Sequence, residues 1–124
     1  MQNRTKPRNL QDAFNRIWRH FIIQGYGQSR DITGRCAYRG EKKNAPACAV
    51  GCMLPTKLAR RADKLGVSSV LNASIKIPEF DRWFENVDLA DLGRLQFFHD
   101  NSFRDIKREL KSFAERKNLT IPKR

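Results

Sequence analysis

Seven apolar residues, Leu10, Ala13, Phe14, Ile17, Trp18, Phe21 and Ile22, recur at i, i+3, i+4 and i+7 near the start of the chain. Only an α-helix brings that spacing onto one face. Such a stripe has to be covered, so the rest of the chain must build a core against it. Asn9 stands at the N-cap, Asp12 suits the positive first turn and Gly25 is placed to end the helix. Arg16, Arg19 and His20 then fall on its outer side. A matching stripe of Phe103, Ile106, Leu110 and Phe113 predicts a final helix, begun by the capping-box-like pair Ser102 and Asp105 and ended at Asn118 and Pro122.

Between these two supports the pattern is more broken. Residues 25–34 carry three glycines and read as a surface loop. Cys36 with Tyr38, and then Cys48, Val50, Cys52 and Leu54, alternate with smaller residues at a period of two, which predicts a short β-hairpin over residues 35–54. Its tip is basic, at Lys42 and Lys43. Pro55 fits the first turn of a helix that carries Leu58, Ala62 and Leu65 inward and stops at Gly66. A short helical piece follows at Ser69–Asn72, another starts at Pro78, and Asp88 caps a helix carrying Leu89, Leu92, Leu95 and Phe98. The fold class expected is α+β, a mainly helical single domain with a small two-stranded hairpin. Residues 1–8 form a flexible basic arm and 9–124 one compact domain, as 124 residues with 40% apolar content suit a single core.

Charge bounds the partner. With 25 Lys and Arg against 13 Asp and Glu the chain carries +12, which attracts polyanions at a distance. The acidic groups concentrate between residues 77 and 100, where six face only two basic ones. Lys57, Arg60, Arg61 and Lys64 share one side of the predicted Pro55 helix, and Arg104, Lys107, Arg108 and Lys111 repeat that spacing in the last. Each stripe can follow a phosphate backbone, Arg with bidentate contacts and Lys as a point charge. Either stripe alone is equally well a solvated helix face; the two together point to binding. Arg35, Arg39, Lys42 and Lys43 add further positive charge on the hairpin.

The residues able to do chemistry form a weaker set. Three cysteines, Cys36, Cys48 and Cys52, are an odd number and too few for a disulfide framework, so reduced thiols in a cytosol are expected. No apolar run approaches the roughly 18 residues that cross a bilayer, so no membrane partner is expected. Cys36, Cys48, Cys52 and His99 could ligate zinc, yet eleven residues separate the first pair and three the second, with no tight knuckle. No metal and no cofactor are assigned. Cys52, just before a helix start, and His99 are the candidates for a nucleophile and its base. Against this, adjacent His99 and Asp100 on a helix point about 100° apart and should not pair with one another.

The runs Arg35-Cys36-Ala37-Tyr38-Arg39-Gly40 and Cys48-Ala49-Val50-Gly51-Cys52-Met53-Leu54-Pro55, followed by Leu95-Gln96 and His99-Asp100, resemble a family of small hypothetical proteins from bacteria and their phages. The likeness spans about residues 9 to 118. It implies a microbial or phage origin and a place in the bacterial cytoplasm, and confers no catalytic role. This chain is more basic than the pattern, above all at Arg60, Arg61 and the final helix. The reading that results is a small basic protein that engages nucleic acid, a nucleoprotein complex or an acidic protein surface. A phage-borne inhibitor of host machinery, such as an anti-CRISPR-like antagonist of a defence system, is one form of it. Two alternatives stay open. One is an enzyme using Cys52 and His99; the other is a nucleotide-signal binder or sponge using Arg35, Arg39 and Tyr38.

Overall fold

A computed structural model describes residues 5–28, 48–66 and 69–123. Among them the chain forms six α-helices: α1 (Leu10–Trp18), α2 (Thr56–Lys64), α3 (Val70–Lys76), α4 (Pro78–Trp83), α5 (Leu89–Asn101) and α6 (Ile106–Lys117). The apolar stripe predicted near the N-terminus is helical throughout, but its last turn, Arg19–Ile23, widens to a π-helix. Asn9 caps α1 as expected, its side chain accepting from the Asp12 N–H at 2.8 Å. Gly25 (φ +72°) and Gly66 (φ +68°) take the left-handed backbone that closes the first helical segment and α2, a conformation costly for any residue with a Cβ.

The β-hairpin is the main correction. No strand occurs among the described residues, so the fold they form is mainly helical rather than α+β. Cys48–Leu54 is a tight turn leading into a short 3-10 helix, Gly51–Met53, in which the Cys52 N–H bonds the Cys48 carbonyl at 2.9 Å. The alternation that suggested a strand is absent from the burial: Ala49, Gly51 and Met53 are buried just as Cys48, Val50 and Leu54 are. With two residues as small as Ala49 and Gly51 the segment can coil through the core without exposing either face. The expected first strand and the basic tip, Arg35 to Ala47, lie outside the described residues.

Smaller differences follow the same logic of packing over pattern. Pro55 precedes α2 rather than entering its first turn, and the helix buries Ala59 and Ala62 while Leu65 is 53% exposed. Ser102 makes no capping bond; the 3-10 turn Phe103–Asp105 separates it from α6. Ser69, by contrast, caps α3 through the Asn72 N–H at 3.0 Å, and Asp88 caps α5 through the Ala90 N–H at 2.8 Å.

The core is built around aromatic rings. Phe14 stacks on Trp18 and on Phe113 at 6.1 and 6.3 Å, and Phe98 meets Phe113 edge-on at 6.2 Å, so α1, α5 and α6 share one apolar layer. Fully burying a ring of this size contributes about 2–3 kcal/mol. Phe80 and Phe84 form a second pair at 5.1 Å beside α3 and α4. The C-terminal residues are drawn back onto α1, where the Gln11 amide donates to the Thr120 carbonyl at 2.8 Å and accepts from its N–H at 2.9 Å.

Thr5–Arg8, part of the expected arm, lie against this body. Arg16 donates to the Thr5 carbonyl, Pro7 is buried, and the Arg8 N–H donates to Asp12 Oδ2 at 3.0 Å. Burial alone would raise the Asp12 carboxyl, but the Arg8 N–H and the Arg16 guanidinium outweigh it and hold it below its ordinary 3.8. A depressed carboxyl stabilises the fold fully above its unfolded value, and that contribution fades as the pH falls through the folded one. Asp12→Asn should therefore cost about 1–2 kcal/mol at neutral pH, measured by urea unfolding. The gap to the wild type should close as the pH is taken below 3.8.

Candidate functional site

A polar chain runs through the core beneath the Cys48–Leu54 turn. Gln96, on the inner side of α5, accepts the Val50 N–H at 2.9 Å and donates to Asp100 Oδ1 at 3.0 Å. His99, with no exposed surface, places Nδ1 2.6 Å from the same oxygen. A carboxylate only accepts, so Nδ1 carries the proton in this pair. The sequence argument that neighbouring helical residues diverge too far to pair is thus overturned. The Asp100 side chain folds back along the end of α5, and the Phe21 and Phe103 rings, 5.5 and 5.7 Å from the imidazole, hold the histidine in place. His99 therefore ties α5 to the first helical segment and to the Phe103 turn.

The thiols are not poised for attack. Burial pushes the Cys48 thiol well above its usual range, against the weaker opposing effects of the Gly51 N–H and Gln96. Cys52 is half-buried and its thiol donates to the Ala49 carbonyl at 3.0 Å. The proposed nucleophile and base are thus each engaged elsewhere, Cys52 with backbone and His99 with Asp100. Among the described residues no group of three or more His, Cys, Asp and Glu side chains is placed to hold a metal ion, and no helix is long and apolar enough to cross a membrane.

The two basic stripes are real surface features. Lys57, Arg60, Arg61 and Lys64 are all exposed on α2; Arg104, Lys107, Arg108 and Lys111 are all exposed along the Phe103–Asp105 turn and α6. Arg61 pairs with Glu79 at 2.9 Å and Arg108 with Asp105 at 3.2 Å. No ion pair among the described residues engages the other six. Three of the six acidic residues between 77 and 100 join elements: Glu79 to α2, Glu85 to Lys6 and Asp91 to Lys117 at 2.9 Å. Its own backbone N–H and then Arg61 hold Glu79 below the usual carboxylate range. α6 packs on α5, whereas α2 makes no extensive contact with α6. Arg35, Arg39, Lys42 and Lys43, together with Tyr38, lie outside the described residues. Tyr26 stacks on His20 at 4.5 Å, so one face of its ring is covered.

Sequence reasoning missed a cleft of about 360 Å³ between the start of α3 and α5. Leu71, Leu89, Ala90 and Phe97 form apolar walls, and Gln96, Asp100 and Asn101 supply a polar end. Gly93 lies on its floor, mid-helix, where glycine costs about 1 kcal/mol relative to alanine. Nothing in the fold demands that glycine, because a Cβ built there meets no atom within 4 Å. The only hint in the sequence was a glycine interrupting an otherwise good helical run.

Comparison with protein-family models, with curated proteins and with solved structures finds no match to this chain. Function therefore has to be argued from the surface and the cleft themselves.

Gln96→Met keeps volume and removes both hydrogen bonds, leaving the buried Val50 N–H unsatisfied. It should lower stability by about 1–3 kcal/mol, read from the urea midpoint. In the native wild type at mildly alkaline pH, brief alkylation followed by peptide mass mapping should find Cys48 unmodified. Rapid modification of Cys48 would contradict the buried, protonated thiol described above.

Proposed function

We propose that this protein binds the phosphate backbone of nucleic acid, free or within a nucleoprotein complex, through the exposed basic faces of α2 and of the Phe103–Lys117 segment. The observation that carries the reading is the division of charge. Glu79, Glu85 and Asp91 are engaged in joining elements, while Lys57, Arg60, Lys64, Arg104, Lys107 and Lys111 point to solvent with no ion pair among the described residues. An excess of like charge on these helix faces destabilises the isolated fold through self-repulsion, and a polyanion relieves it. The resemblance to small proteins of bacteria and phages fits a chain that acts on host nucleoprotein machinery, including a defence complex.

Each phosphate neutralised releases counterions. If about six phosphates are engaged, affinity should fall on the order of a thousandfold between about 50 and 200 mM salt. Fluorescence anisotropy with a labelled single strand and a labelled duplex gives the slope. Reversing Lys57, Arg60 and Lys64 to Glu, or Arg104, Lys107 and Lys111 to Glu, should each weaken binding and flatten that slope by about the number of contacts removed. A salt-insensitive affinity, or full retention of it in both triple variants, would refute the reading.

A further inference from the structure

The α3–α5 cleft is built to hold something that the basic helix faces do not. Asp100 Oδ1 already accepts from His99 and from Gln96, two donors buried in the core, and these set the direction of the carboxylate. Among the described residues nothing bonds Oδ2, and Asp100 lines the cleft. An occupant that covers this oxygen must therefore bring it a hydrogen-bond donor. It must also present apolar faces to Leu71, Leu89 and Phe97, the last of which is 55% exposed. Gly93 leaves the floor clear over the width of a missing side chain.

The rest of the molecule narrows the choice. A free cation would satisfy Oδ2, but it would have to approach a chain of net charge +12. A neutral, flat donor attached to phosphate meets no such barrier. We propose that the cleft receives one unstacked nucleobase bearing an exocyclic amino group, cytosine, adenine or guanine, whose amino N–H bonds Asp100 Oδ2 while its ring lies against Phe97. This rests on the phosphate-binding reading and adds base preference to it. Thymine is disfavoured because it has no amino group, and its one ring N–H is flanked by two carbonyl acceptors that repel the carboxylate. Base–aromatic stacking supplies the remainder of the contact.

Two variants test the cleft without disturbing the core. Gly93→Leu fills the floor and removes a weak point from α5. Asp100→Asn keeps an oxygen for His99 and Gln96 and turns an amide NH₂ into the cleft, exchanging acceptor for donor. Binding of single-stranded homo-oligomers of dC, dA and dT is measured by anisotropy. Titrations of ¹⁵N-labelled protein with CMP, AMP and TMP follow the Gly93, Phe97 and Asn101 amides. The wild type should favour dC and dA over dT on the order of tenfold, the worth of one hydrogen bond to a charged group. Gly93→Leu should erase that preference and leave the salt-dependent binding in place. Asp100→Asn should shift the preference toward dT.

Equal affinity for the three oligomers, or a preference that survives Gly93→Leu, overturns the cleft assignment while leaving backbone binding intact. The converse result is also distinct. If CMP and AMP shift the cleft amides and TMP does not, but no oligomer binds, the cleft recognises the base of a free nucleotide. The assignment of the base edge then stands and the phosphate-backbone reading fails. No shift with any nucleotide, together with oligomer binding indifferent to base, overturns the inference outright.

Discussion

The hydrogen bond from the Val50 N–H to Gln96 is the interaction on which the arrangement depends. A non-helical turn driven through a core must find partners for its backbone, since an unsatisfied buried N–H costs on the order of 1–3 kcal/mol. The Cys48–Leu54 turn meets part of that demand with its own short-range bonds, and Gln96 meets another part from α5. Trp83 adds a third tie, donating from its ring N–H to the Met53 carbonyl at 3.0 Å. The turn thereby becomes the piece against which α1, α4 and α5 are placed. Because the Gln96 amide has two ends, satisfying Val50 also commits its NH₂ to Asp100, and the carboxylate at the end of the cleft inherits its orientation from the core.

Charge in this protein has two separate uses. Carboxylates sit at joints: Asp12 holds Arg8 and Arg16, Glu79 holds Arg61, Glu85 holds Lys6 and Asp91 holds Lys117. Exposed pairs of this kind contribute little each, typically under about 1 kcal/mol, so their value lies more in registering short helices than in stability. Among the described residues Lys57, Arg60, Lys64, Arg104, Lys107 and Lys111 enter no such pair. A surface that keeps them on helix faces, with a donor-seeking cleft elsewhere on the molecule, combines non-specific attraction with a means of discrimination. In the function proposed above, phosphate contacts would position a strand and base contacts would read it, and the two tasks would fall to different residues.

Much of the helical framework was legible because it follows from periodicity alone. The stripes at Leu10–Ile22 and Phe103–Phe113, the caps Asn9 and Asp88 and the stop at Gly66 are local properties, decided within a few residues. The basic stripes were legible for the same reason, since exposure of Lys and Arg on the outer side of an amphipathic helix needs no partner to bring it about. The hairpin was misread because alternating residues in a short run look identical whether a strand buries one face or a coiled turn buries both. That choice was made by the packing around Cys48–Leu54, which buries every residue of the run but Cys52.

The sequence by itself determined where the main helices lie and which of their faces are charged, because an α-helix repeats its own geometry whatever it touches. Tertiary structure decided what those helices enclose. The His99–Asp100 pairing, the bond from Gln96 to a backbone 46 residues away and the open floor at Gly93 are relations between segments, and no local pattern encodes them. Asp100 shows the division most clearly. From the sequence it is a helix-terminal carboxylate beside a histidine; in the fold, two buried donors hold one of its oxygens and the residue lines the cleft, relations that are set only by packing.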